Sequence, residues 1–306
     1  MASLDTLLGA SVAPSTKKKY DGLWGRWTNY ATIHNMAIRP ALGKDVALFL
    51  AHLSQSKTKT VCISAAAAIS WNHTSRGLVS PCNEVIVKSA LAGARRLFAA
   101  PIQRKEPFSL PLLRRLVNSL SPWSSLEDAQ LTFYVVIAFF GLFRYSDMKQ
   151  LRVKDFANNG QNLLVTLPCS KTDKFRAGAN VYLSANTDEP LLCPVATSNR
   201  YFVKLAAAGC DKASLVLMSL SKPGKLTSAS SLTRRLRTAL QPLVADTNDF
   251  TLHSFRSGGA TAAAKANVPR SLIATHGRWQ SDCVNNYIKL DDATRYSVSR
   301  AISKVL

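Results

Sequence analysis

Apolar positions recur at i, i+3, i+4 and i+7 along Ser15–His34. Tyr20, Leu23, Trp24, Trp27, Tyr30 and Ala31 fall on one side, which predicts a helix capped by Ser15 or Thr16. Pro40 interrupts the pattern. Lys44–Ser54 resumes it with Val46, Phe49, Leu50 and Leu53, and Lys59–His73 continues as an alanine-rich helix. Beyond Pro81, Glu84–Ala99 aligns Val87, Ala90, Leu91, Ala94, Leu97 and Phe98. The first hundred residues therefore predict a four-helix module. Lys88, Arg95 and Arg96 project from its polar side, which suits a solvated face and a DNA-binding face equally.

Residues 101–108 hold two prolines around a polar centre and predict a linker. Helical patterns return at Leu110–Leu120 and Glu127–Phe143. Leu163–Leu167 and Asn180–Leu183 are β-rich runs flanking Pro168–Ala179, a turn that carries Lys171, Lys174, Arg176 and Gly178. This predicts a β-hairpin with a basic tip. Helical patterns then dominate to the C-terminus. The expected class is mainly α with a small β-sheet (α+β), divided into domains at 1–100 and 109–306.

Composition narrows the partner. Among 306 residues, 47% are apolar and 19% charged, so a core is expected and wholesale disorder is excluded. Lys and Arg number 39 against 18 Asp and Glu, a net charge of +21. Residues 1–100 carry 12 of these cations against 4 acids, and residues 101–306 carry 27 against 14. Both halves are thus suited to an extended polyanion. The longest apolar run, Leu131–Phe143, has 13 residues, short of the roughly 20 that a membrane span needs. The N-terminus lacks a signal-peptide pattern. Cys62, Cys82, Cys169, Cys193, Cys210 and Cys283 are scattered without a zinc-ligand spacing. They read as reduced thiols of a cytosolic or nuclear protein, not a secreted one.

The candidate chemistry lies in a few cationic and aromatic residues. His253 and Arg256 are three apart and share a face if helical. The small residues after them, Ser257–Ala262, allow close approach of another group, such as a phosphate. Arg144 follows the apolar helix, where it suits either a reaction or a cap on the helix's negative end. His276-Gly277-Arg278-Trp279 and Tyr287 lie downstream.

In this order these residues resemble the catalytic set of the tyrosine recombinase (phage-integrase-like) family, over nearly the whole chain. The pattern is an Arg after a buried helix, a Lys on a β-hairpin, His-x-x-Arg, a His or Trp, and a Tyr near the C-terminus. Ser170–Lys174 and Gly277-Arg278-Trp279 look most like its eukaryotic mobile-element branch, as in DIRS-type retroelements and Cryptons. The resemblance implies a helical, SAM-like core-binding domain followed by a catalytic domain, clamped on double-stranded DNA. It also implies a role for each residue. Arg144 and Arg256 would hold the non-bridging phosphate oxygens. Tyr287 would attack phosphorus to form a covalent 3′-phosphotyrosine, conserving the bond energy so that ligation needs no ATP. Lys171, preferred over Lys174, would protonate the departing 5′-oxygen, and His253 would assist proton transfer. No metal or other cofactor is implied.

The His/Trp slot stays open. The family places it nine residues before the tyrosine, at Arg278 here. Trp279 is favoured because an indole N–H can donate to phosphate, and His276 is a third candidate. Tyr296 is a second nearby tyrosine, but Tyr287 matches the spacing to Arg256 better. Asp147 reads as structural, orienting Arg144 or capping a helix. The resemblance further implies a homo-tetramer on two DNA sites, with the 292–306 segment docking in trans. It implies a nuclear protein in a eukaryotic host and a cytoplasmic one otherwise. Two other functions share many of these features: a DNA-binding protein that no longer cuts, and a type IB topoisomerase-like relaxing enzyme.

Overall fold

Side-chain caps and prolines start many of the helices. Ser3, Ser109, Ser125 and Ser228 each accept a hydrogen bond from a backbone N–H of the first turn. Prolines open the helices at residues 14 and 194, where a missing N–H costs nothing. The computed structural model describes residues 3–55, 59–99, 105–168, 178–220, 225–280 and 282–289. The chain divides into two units, 1–103 and 104–306.

The first unit contains α1 (Leu4–Ala10), α2 (Pro14–Ile33), α3 (Gly43–Ser54), α4 (Lys59–Thr74) and α5 (Val85–Leu97). The additional helix, α1, has only Leu4, Leu7 and Leu8 as apolar signal, too short a run to show a period. Trp27, Phe49, Ile69 and Val87 are buried at the centre of this unit. The Trp27 ring meets the edge of Phe49 at 5.5 Å. Lys88, Arg95 and Arg96 are exposed on α5.

A buried histidine ties this unit together. His73 Nε2 accepts from the Ala41 N–H at 3.0 Å. The other ring nitrogen, Nδ1, must therefore carry the proton that it shares with the Ile69 carbonyl at 2.8 Å. Burial lowers its pKa, and nearby Arg39 adds to this, against the raising effect of the Ile69 bond. As pH falls below about 6.5, the unfolded chain then takes up a proton that the native state refuses. Stability contributed by neutral His73 is present above that pH and is lost as pH falls toward the lowered native value. Urea unfolding followed by Trp fluorescence is expected to show this acid slope, and His73→Gln to flatten it.

The second unit is built on α7 (Leu126–Phe140), whose residues from Ala129 to Phe139 are all buried. Around it pack α6 (Leu110–Leu120), α9 (Pro194–Ala207), α10 (Ala229–Leu240) and α11 (Ser254–Lys265). The short helix α8 (Tyr145–Met148) follows α7, and α12 (Arg270–Gly277) follows α11. Strands β1 (Phe156–Asn158), β2 (Asn162–Leu167) and β3 (Ala179–Ser184) form an antiparallel sheet in chain order. Val165 faces Val181 in the register, and Leu163, Leu167 and Leu183 join them on the buried side. This is the expected mainly α architecture with a small sheet. Strand β1 is too short and polar to stand out in the sequence. The tip of the predicted hairpin, with Lys171, Lys174 and Arg176, lies outside the described residues, as do Tyr296 and the 292–306 segment.

Three local expectations change. The helix predicted over Glu127–Phe143 stops at Phe140, because Leu142 turns into the left-handed region at φ 49° and Phe143 N–H bonds back to the Ala138 carbonyl. Residues 105–108, expected in the linker, belong to the second unit. Phe108 is fully buried, stacks on Phe255 at 4.4 Å, and donates its N–H to the Ser254 carbonyl. Two of the small residues of α11, Gly258 and Gly259, receive backbone. A Cβ on Gly258 would overlap the Phe108 carbonyl, and one on Gly259 the Phe139 carbonyl. Neither obstacle is a flexible side chain. Gly259→Ala is therefore expected to lower the unfolding free energy by about 1–3 kcal/mol in urea titrations.

Candidate active site

A helix ends with carbonyls that have no partner of its own. The buried end of α7 resolves this with side chains from the far end of the chain. The Phe140 carbonyl accepts from His276 Nε2 at 2.8 Å. The Gly141 carbonyl accepts from Arg278 Nη1 at 3.2 Å. The Leu142 carbonyl accepts from Arg278 Nη2 at 3.0 Å and also from Arg256 Nη1. Cations at a helix C-terminus also meet the negative end of its dipole. The capping role considered for Arg144 is thus filled by other residues.

Arg256 stands on the first turn of α11 and is completely buried. Its Nη2 donates to the Gly277 carbonyl at 2.6 Å. The Trp279 ring lies over its guanidinium at 3.9 Å and the Tyr287 ring at 5.3 Å. Burial, then the like charges of Arg144 and Arg278, push its pKa down to about 9, still cationic at neutral pH. Burial likewise lowers Arg278 to about 10, although Asp147 opposes the shift. Burial lowers the His276 pKa and both arginines add to this, against the raising effect of its bond to the Phe140 carbonyl.

Arg144 begins α8 and keeps its side chain largely covered, at 13% exposure. Asp147, fully buried, accepts the Arg144 backbone N–H at 3.1 Å. The same carboxylate oxygen is 3.7 Å from both Arg144 Nη1 and Arg278 Nη2. Asp147 therefore both caps α8 and serves as counter-ion to two arginines. Arg144 Nη1, Arg256 Nε, Arg278 Nε and Trp279 Nε1 are buried donors without a hydrogen-bond partner. Three cations with one carboxylate, and donors left unpaired, form a site suited to an anion.

Tyr287 comes to this site through a small separate core. Leu142, Ala260, Ile273, Trp279, Val284 and Ile288 are buried together, and Tyr287 packs against them. Its ring is 4.8 Å from Trp279 and 5.2 Å from His253. The Thr261 hydroxyl donates to the Tyr287 carbonyl at 3.3 Å and accepts the Lys289 N–H at 3.1 Å. Lys289 Nζ pairs with Glu106 at 2.8 Å. A cleft of about 570 Å³ opens here, lined by Lys105, His253, Ser257, Tyr287 and Lys289 among others.

The structure thus gathers Arg144, His253, Arg256, Trp279 and Tyr287. His253 is exposed and sits just before α11 rather than on it, so it leans over Tyr287. Of the three residues considered for the His/Trp slot, Trp279 lies between Arg256 and Tyr287. Arg278 and His276 turn inward to carbonyls. Lys171 and Lys174 lie outside the described residues. Thr261 and the carbonyls of residues 140–142 escaped the sequence reading, because a threonine or a peptide group carries no signal of a partner 26 or 136 residues away.

No protein-family profile matches the chain. It is 22% identical over 290 residues to an integrase/recombinase XerD homolog of Selenomonas ruminantium, covering 92% of this chain and 83% of that protein. The structure is similar to that of the XerH site-specific recombinase bound to its palindromic difH substrate, in a post-cleavage complex. That likeness has a TM-score of 0.63 at 14% identity and covers 92% of this chain and 76% of the other. It is also similar to the Tn1549 transposon integrase in complex with transposon right-end DNA. There the TM-score is 0.62 at 12% identity, over 95% of each chain. The fold is that of the tyrosine recombinases.

Proposed function

We propose that this protein is a site-specific DNA recombinase or integrase that cuts and rejoins strands through Tyr287. The observation that carries this reading is the gathering of Arg144, His253, Trp279 and Tyr287 around the buried Arg256. In the proposed step the phenolic oxygen of Tyr287 bonds to phosphorus as the bond from phosphorus to the 5′-oxygen breaks. Arg144 and Arg256 hold the non-bridging oxygens, and the Trp279 indole N–H supplies a further donor. His253 takes the phenolic proton, and Lys171 gives one to the 5′-oxygen. Rejoining is the reverse, with a 5′-hydroxyl attacking the phosphotyrosine.

The finer assignments follow the same reading. Residues 1–100 form a core-binding DNA domain using Lys88, Arg95 and Arg96, and residues 109–306 form the catalytic domain, with Lys174 and Arg176 also on DNA. Gly277-Arg278-Trp279 supports the eukaryotic mobile-element branch and hence a nuclear location. The active species is a homo-tetramer on two sites, with the 292–306 segment docked in trans.

The test uses nicked duplexes from a randomised pool. Covalently trapped DNA resistant to SDS is expected, and sequencing its ends identifies the site and the 3′ linkage. Retarded DNA without any SDS-resistant complex would leave only a binding protein. Affinity is also expected to fall steeply with salt, log K dropping by about 0.9 per log unit for each phosphate neutralised. A flat response in a fluorescence-anisotropy salt series contradicts broad contact with the DNA backbone.

A further inference from the structure

The buried end of α7 holds one more arginine than a two-arginine phosphate clamp requires. Arg278 is the residue after α12 and adopts the left-handed conformation, φ 57° and ψ 42°. That region favours glycine, because a Cβ crowds the following carbonyl oxygen there. The strain has a visible return. The turn carries Trp279 back under Arg256 and aims the Arg278 guanidinium inward, where only 8% of the side chain is exposed.

Both terminal nitrogens of Arg278 are committed to the protein, while its buried Nε has no hydrogen-bond partner. Nη1 donates to the Gly141 carbonyl at 3.2 Å and the His276 carbonyl at 2.8 Å. Nη2 donates to the Leu142 carbonyl at 3.0 Å and faces Asp147 at 3.7 Å. The Phe143 ring lies 4.6 Å beneath the guanidinium carbon. Two of these partners are shared with the arginines assigned to phosphate. Leu142 O also receives Arg256, and Asp147 also faces Arg144.

We propose that Arg278 is a positioning residue, whose guanidinium ties Gly141 O, Leu142 O and Asp147 into one frame that sets where Arg144 and Arg256 stand, without itself touching the scissile phosphate. The proposal rests on the recombinase reading of this site for its effect on cleavage, but the frame itself does not. A planar fork suits the task, because its donors diverge at fixed angles toward several acceptors. Lysine keeps the charge and loses the fork. Without Arg278, Arg256 alone serves Leu142 O, and Asp147 keeps only Arg144 as counter-ion. Both phosphate-binding side chains would then be drawn toward the protein.

Two variants and two measurements test this. R278K preserves charge, and R278G relieves the backbone strain while removing the side chain. In full-length protein, R278K is expected to bind DNA as the wild type does and to form covalent adduct about 10²-fold more slowly, the scale of a misplacement near 1 Å. In an Arg144→Ala background the same change is expected to cause a smaller further loss, the part that acts through Arg256, because the rest acts through Arg144. Full multiplication of the two losses, or an unchanged rate in R278K, overturns the positioning role.

The second measurement is hydrogen exchange without DNA. Both variants are expected to lose protection in peptides spanning 138–148 while the β2–β3 sheet keeps it. If Arg278 served only its backbone turn, R278G would raise protection there instead. Unchanged or increased protection overturns the frame whether or not the protein cleaves DNA. A wild type that yields no adduct defeats the recombinase reading separately, and the exchange result still decides the frame.

Discussion

Tyr287→Phe is expected to bind DNA with wild-type affinity and to form no covalent adduct. The substitution removes one oxygen and keeps the ring. That ring packs against Trp279 at 4.8 Å and His253 at 5.2 Å, beside the buried Val284 and Ile288. The segment is held by its backbone, through Thr261 on the Tyr287 carbonyl and the Lys289 N–H. Neither contact uses the hydroxyl, so the local fold is expected to survive. Removing the nucleophile from a catalytic group that acts as a unit costs on the order of 10⁶-fold, which takes the adduct below detection on a nicked substrate. Binding is followed by anisotropy in parallel. Undiminished adduct in this variant overturns the assignment of Tyr287 and points to Tyr296, whose own Phe variant is the control.

Arg256→Ala is expected to have the second largest effect, on both chemistry and stability. Loss of a donor to the developing charge costs about 10²–10³-fold in rate by analogy with oxyanion sites. The structural part is separate. Arg256 is wholly buried, donates to the Leu142 and Gly277 carbonyls, and fills the space beneath Trp279. Truncation leaves the Gly277 carbonyl unpaired, at about 1–3 kcal/mol, and opens a cavity. Relief of repulsion with Arg144 and Arg278 offsets part of that loss. Arg256→Lys separates the two effects. It retains charge and much of the volume but loses the second donor arm, so adduct formation is expected to stay low while urea stability recovers in part. Wild-type cleavage by either variant removes Arg256 from the phosphate site.

The cationic site reaches further than a sequence motif conveys. His-x-x-Arg suggested two residues on one helical face, yet His253 stands at the position before the helix, without a side-chain cap bond, and only Arg256 belongs to it. The small run after Arg256 was legible as a place of close approach. Its partner was not, because Gly258 and Gly259 meet the carbonyls of Phe108 and Phe139, well over a hundred residues earlier in the chain. The three residues considered for one slot separate only in space. Their spacing to Tyr287 favoured Arg278, whereas the left-handed turn at that residue aims its guanidinium at the end of α7 and puts Trp279 against the tyrosine.

By itself the sequence determined what local physics controls. Apolar periodicity set the helices from residue 14 to residue 140 and the alternation of β2 and β3, since burial of one face follows from the order of side chains. Net charge pointed to a polyanion, and the ordered Arg, Lys, His-x-x-Arg and Tyr pointed to phosphoryl transfer. Only the tertiary structure decided which donors of these cations bond carbonyls of the protein and which stay buried and unpaired. That choice depends on carbonyls left unpaired at the end of a buried helix and on one buried carboxylate, Asp147. Their demand for donors is met across more than a hundred residues, a distance at which periodicity and spacing carry no information.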